Sequence, residues 1–225
     1  MIVGRSVVRK FGDLISNAEK HTLEAMREGR IEMETTVTDH FLTQVEQSFR
    51  DHGQTELIAF KAWFLRDRGP KSTEHEFGAD FCGVLNVRLP GFTQTKGFLC
   101  QAKVSGRGLR IEPGYRGTRP VSICVNDHES DRLRNQIDRM LSVTHESFVI
   151  VYGSDGFVVI PATSVKSLSG TGPVYAKPVQ GFFKEYLMCF IGDPQLHAAD
   201  YASLEDLRRR TDSRTALMFE LAKME

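Results

Sequence analysis

Residues Lys96 to Lys103 read K-G-F-L-C-Q-A-K. Side chains along a strand alternate between its two faces. Phe98, Cys100 and Ala102 then share one face, and Leu99, Gln101 and Lys103 share the other. An apolar run of this density predicts a core strand, yet it closes on an amide and a cation. Gln101 and Lys103 would project side by side, about 6.5 Å apart along the strand. Two readings stand. Either the strand leaves the core for solvent at this point, or the two groups belong to a site.

The preceding segment bears on the choice. E-H-E-F-G-A-D-F-C-G-V-L-N-V-R-L-P-G, Glu74 to Gly91, predicts a strand closed by Pro90 and Gly91, with a loop F-T-Q-T leading on to the quoted strand. The two are expected to pair as a hairpin or as neighbours. Asp80 stands at the start of the first, and a carboxylate there is costly unless solvated, hydrogen-bonded or on a metal. Pairing would bring Asp80 near Gln101 and Lys103. Carboxylate, amide oxygen and ammonium together suit a hard divalent cation such as Mg²⁺, or Mn²⁺, and a phosphate on which charge develops.

G-A-D followed by Q-A-K resembles the signature of the PD-(D/E)XK nuclease superfamily in its Gln-containing variant. The variant is similar to Mrr-type restriction endonucleases and bacterial anti-phage defence nucleases. The resemblance spans roughly residues 32 to 165. It implies a restriction-endonuclease-like α/β fold, a central mixed sheet flanked by helices, and metal-dependent hydrolysis of DNA phosphodiesters. It further implies that Asp80 and Gln101 bind metal. Lys103 would orient or help deprotonate the attacking water, or offset charge. The second motif position usually carries Glu or Asp, so Gln101 is a departure and a further acid is wanted. Glu34, in I-E-M-E-T-T, is the first choice, and Asp39 the next; Glu74 and Glu76 are alternatives. Glu34 also reads as an ordinary first-turn acid meeting a helix dipole. Gln136, in R-N-Q-I-D, faces the site in some superfamily members and otherwise reads as an exposed helix residue.

Outward from this centre the chain alternates helices and strands. Helical spacing of apolar residues predicts helices over Ser6–Arg30, Glu34–Phe49 and Glu129–Leu141. Glu56–Leu65, Ser147–Tyr152 and Phe157–Pro161 read as strands. Phe182–Ile191 reads as a buried helix. Ser203–Lys223 reads as a charged helix capped by Ser203 and Asp206. The expected organisation is one domain over residues 1–225, with a core at about 32–165 and helical extensions at 1–31 and 166–225.

Acids and bases balance at 29 each among 225 residues, so no global charge draws the chain to nucleic acid. Locally, Arg107, Arg110, Arg116 and Arg119 lie in a Gly-rich stretch. It reads as a solvated loop or as a loop that meets phosphates. The four cysteines are scattered without a C-x-x-C pair, as expected of buried thiols in a reducing cytoplasm. The histidines form no H-E-x-x-H pair, and P-loop, G-x-S-x-G and G-x-G-x-x-G patterns are missing. No membrane-length apolar run occurs. The expected partners are DNA, a second copy of the chain by resemblance to dimeric nucleases, and a partner protein in a defence system. The rival expectation is a module of the same fold, without catalysis, that binds nucleic acid or protein.

Overall fold

The computed structural model describes residues 4–55, 58–66, 78–106, 109–111, 120–125, 127–168 and 170–224, with backbone alone for 109–111, 120–125 and 127–130. Two helices open the chain, α1 (Arg5–Arg27) and α2 (Glu34–His52), followed by β1 (Ile58–Leu65), β2 (Ala79–Leu89) and β3 (Phe92–Val104). After β4 (Leu109–Ile111) and β5 (Pro120–Val125) come α3 (Asp127–Val143), β6 (Ser147–Gly153) and β7 (Gly156–Pro161). The chain continues through α4 (Ala162–Lys166), β8 (Thr171–Tyr175), β9 (Lys177–Pro178) and α5 (Val179–Leu187). Last are α6 (Tyr201–Arg210) and β10 (Ser213–Lys223).

Seven strands form one mixed sheet in the order β1-β10-β2-β3-β6-β7-β9, and β4-β5-β8 form a second. β10 runs parallel to β2, and β3 runs parallel to β6. Helices cover both faces of the large sheet. Phe98, Cys100 and Ala102 of β3 pack with α1, α2 and α5, whereas Leu99 joins the core under α3, α4 and α6. The alternation expected for the quoted stretch therefore holds. β2 and β3 form the expected antiparallel hairpin, but its turn is shorter than expected. Leu89 pairs with Phe92 across Pro90-Gly91, so the supposed loop F-T-Q-T is strand. Gly91 has φ +73, which the third residue of a Pro-Gly turn requires and a side chain disfavours.

The largest correction is at the C-terminal side. Of the helix expected over Ser203–Lys223, only the first third is helical. Its cap is Asp200, which accepts from the Ser203 amide, and not the pair Ser203 and Asp206. Ser213–Lys223 is a central strand, buried on both faces between β1 and β2. Leu217, Phe219 and Leu221 enter one core, and Ala216 and Met218 the other. The buried helix expected over Phe182–Ile191 begins earlier and stops at Leu187, before Cys189 takes a left-handed backbone with φ 67.

α1 is no loose appendage, since Phe11 and Ile15 are wholly enclosed. Glu19 on this helix accepts the Phe157 backbone N–H at 2.7 Å and so ties it to β7. Burial pushes the Glu19 carboxyl above its ordinary value, with the Phe157 hydrogen bond opposing. A raised acid pKa means that the folded state holds the proton more tightly than the unfolded one. The stabilisation is complete below the unfolded Glu pKa and is lost as pH rises through the folded value. Glu19→Gln keeps the acceptor for Phe157 and removes the buried charge. It is expected to melt above the parent at pH 7, with the gap closing as pH falls through the carboxylate range. A gap that widens toward acid pH would contradict this account.

Candidate functional site

Asp80, Gln101 and Arg214 stand in one row across three adjacent strands. The register pairs Phe81 with Cys100 on one side of β2 and with Thr215 on the other, which places the preceding Asp80 beside Gln101 and Arg214. The start of β2 is anchored to the start of β10. The Gly78 amide donates to the Asp212 carbonyl at 3.0 Å, and Thr215 Oγ1 donates to the Asp80 carbonyl at 3.0 Å. Backbone pairing thus fixes where the carboxylate stands.

Asp80 Oδ2 accepts from the Ala102 amide at 2.8 Å and from Gln101 Nε2. Oδ1 faces Arg214 Nε at 3.8 Å, beyond hydrogen-bond range. Burial pushes the Asp80 carboxyl above the usual carboxylate value. The Ala102 hydrogen bond and the charges of Arg214, Lys103 and Arg132 pull the other way. Gln101 and Lys103 are each 2% exposed, so the strand does not leave the core at this end. The solvent-exit reading is overturned. Lys103 Nζ meets Glu34 Oε1 at 3.0 Å, with Glu34 in the first turn of α2. A buried ammonium costs several kcal/mol without a partner, and this carboxylate supplies one while also meeting the positive end of the helix.

Asp39, one turn further along α2, accepts from Arg214 Nη2 at 2.8 Å. Both acids favoured from the sequence therefore face this region, each held by a cation. Gln136 is 8% exposed, against the expectation of an exposed helix residue, and its Oε1 is enclosed without a hydrogen-bond partner among the described residues. Arg110 lies in β4, which pairs with β5, within the stretch taken for a loop. Glu74, Glu76, Arg107, Arg116 and Arg119 lie outside the described residues. Sequence reasoning missed Arg214, because its segment reads as helix and a helix would not set it opposite Asp80.

Whether these groups suit a hard cation turns on oxygens without donors. Gln101 Oε1 is enclosed and accepts no hydrogen bond from the described residues, and it belongs to the residue beside the Asp80 carboxylate. An amide oxygen and a carboxylate are ligands that Mg²⁺ and Mn²⁺ accept. Among the described residues, no three His, Cys, Asp or Glu side chains form a metal-holding group. A cation here would draw on the amide as well as on acids. No helix among the described residues is long and apolar enough to cross a membrane. No family model, curated protein or solved structure matches the chain.

Proposed function

We propose that this chain is a Mg²⁺-dependent endonuclease that hydrolyses DNA phosphodiester bonds, with a restriction-endonuclease-like fold. The observation that carries the reading is the burial of Lys103 against Glu34 at the strand end where Gln101 binds Asp80. A core has no packing use for an ammonium, two carboxylates and an amide at one sheet end. A phosphoryl site uses all four. Asp80 and Gln101 would hold the metal, with Glu34 as the further acid. When bound, the ion lowers the pKa of water and stabilises charge on the phosphorus oxygens. Lys103 supplies a fixed positive charge against that oxygen charge and a donor that orients water. The Ala102 amide and Gln101 Nε2 keep the Asp80 carboxylate from rotating. Arg107, Arg110, Arg116 and Arg119 would add phosphate contacts, which give affinity and orientation without reading sequence. A restriction or anti-phage role, a cytoplasmic setting and a homodimer follow from the resemblance. The free thiols of Cys82, Cys100 and Cys189 suit that setting.

One observation favours a second reading, a nuclease-fold module that binds nucleic acid or protein without cleaving. Asp80 is hydrogen-bonded by Gln101 and faced by Arg214, so protein groups satisfy part of what a metal would. Metal-dependent stability separates the two. Saturating Mn²⁺ at about 100 times its dissociation constant is expected to stabilise the parent by about 2.7 kcal/mol. Asp80→Asn is expected to lose that increment while keeping the parental fold. Purified protein should nick plasmid DNA with Mg²⁺ or Mn²⁺ and not with EDTA. A parent whose melting ignores both metals and which leaves the plasmid intact would assign the chain to the second reading.

A further inference from the structure

We infer that Arg214 is an exchangeable counter-cation: metal must displace it from Asp80, and a DNA phosphate then takes the freed guanidinium. The inference rests on the metal-dependent reading above and deepens it. Arg214 sits directly beside Asp80 through strand pairing, not on a flexible loop. Its side chain is 13% exposed and reaches two carboxylates, Asp39 through Nη2 at 2.8 Å and Asp80 through Nε at 3.8 Å. The Asp39 contact is a true hydrogen bond, and the Asp80 contact is too long to be one. Arg214 Nε is enclosed and donates to no acceptor among the described residues. A buried donor left unsatisfied costs about 1–3 kcal/mol. The resting arrangement is therefore a poor one for this guanidinium. It gains charge neutralisation at Asp80 without the bond that would complete it.

Two exchanges would remove the deficit together. A divalent cation on Asp80 replaces the Arg214 charge and repels the guanidinium. A non-bridging phosphate oxygen offers it the strong, paired acceptor geometry that arginine matches better than lysine. Asp39 serves as the pivot, since the Nη2 bond can persist while the rest of the fork turns. Metal and DNA then each assist the other's binding, and linkage requires the assistance to be equal in both directions. Nothing covalent changes.

The test reads binding alone, with no cleavage. Mn²⁺ affinity is measured by titration calorimetry without nucleic acid. Affinity for a short fluorescent DNA duplex is measured by anisotropy with each protein saturated in Ca²⁺, a hard cation that takes the same oxygen ligands, and with the duplex recovered intact. Arg214→Gln is expected to bind Mn²⁺ on the order of tenfold more tightly than the parent and the duplex on the order of tenfold more weakly. Opposite signs from one substitution are the signature, since a misfolded or loosened variant loses both. Arg214→Lys keeps the charge and should resemble the parent for Mn²⁺ while losing duplex affinity. If Arg214→Gln binds Mn²⁺ no better than the parent, or the duplex no worse, the exchange is wrong and the metal site stands. If Mn²⁺ binds neither protein, the metal-dependent reading fails, and the exchange with it.

Discussion

Lys103→Ala is expected to slow plasmid cleavage on the order of 100-fold or more, because a positioned proton-transfer or charge-stabilising group contributes factors of that size. The fold should survive the change. Glu34, deprived of the Lys103 ammonium, still sits in the first turn of α2 and is 27% exposed on its side chain. Far-UV circular dichroism and a melting curve check that point. Lys103→Arg divides the two duties the residue could have. Arginine keeps the positive charge but does not give up a proton. Residual activity well above that of Lys103→Ala would mean that charge matters more than proton movement. Cleavage by Lys103→Ala at the parental rate would remove the residue from the chemistry, whatever its burial.

Phe219→Ala is expected to cost about 3–5 kcal/mol of stability, a large part of the roughly 5–15 kcal/mol that holds a domain together. The ring is fully enclosed at the middle of β10 and lies among Phe11, Phe49 and Phe183, with centroids 5.2, 5.2 and 5.5 Å away. These partners come from α1, α2 and α5, so one truncation loosens the sheet from three helices. Urea unfolding measures it. A loss below about 1 kcal/mol is what a residue on a solvated helix would give, and would argue against a central strand.

How far the fold was legible depended on which signal each segment carried. β2, β3, β6 and β7 are rich in β-branched and aromatic residues and bounded by Pro, Gly or turn residues, so local chemistry identified them. β10 reads S-R-T-A-L-M-F-E-L-A-K. Ala, Leu, Met, Glu and Lys are all good helix formers. The run A-L-M-F is continuous rather than alternating, because both faces of this strand are covered. Periodicity therefore could not separate strand from helix, and burial between β1 and β2 decided it. The site divided along the same line. Asp80, Gln101 and Lys103 could be grouped because a short hairpin brings them together, and Glu34 and Asp39 by their position at the start of a helix. Arg214 could be placed only by knowing a long-range pairing. Gln136 could be placed on the helix, while its burial required knowing how α3 lies on the sheet.

The place of β10 has a consequence for how the protein is made. Thr215 and Asp80, bonded across neighbouring strands, are 135 residues apart in the chain. A ribosome delivers the β2–β3 hairpin early, and two residues suffice to close it. β1 and β2 must then wait with a vacancy one strand wide between them, about 10 Å from axis to axis. Their unpaired edges are exposed for all that time, and unpaired strand edges invite aggregation. The row of Arg214, Asp80 and Gln101 cannot exist on a nascent chain that stalls upstream of residue 214. Synthesis itself thus withholds the assembled site until this strand is in place, and a product terminated before it would carry Asp80 beside Gln101 but without the guanidinium of Arg214 and without the strand that pairs with β2 on its other side.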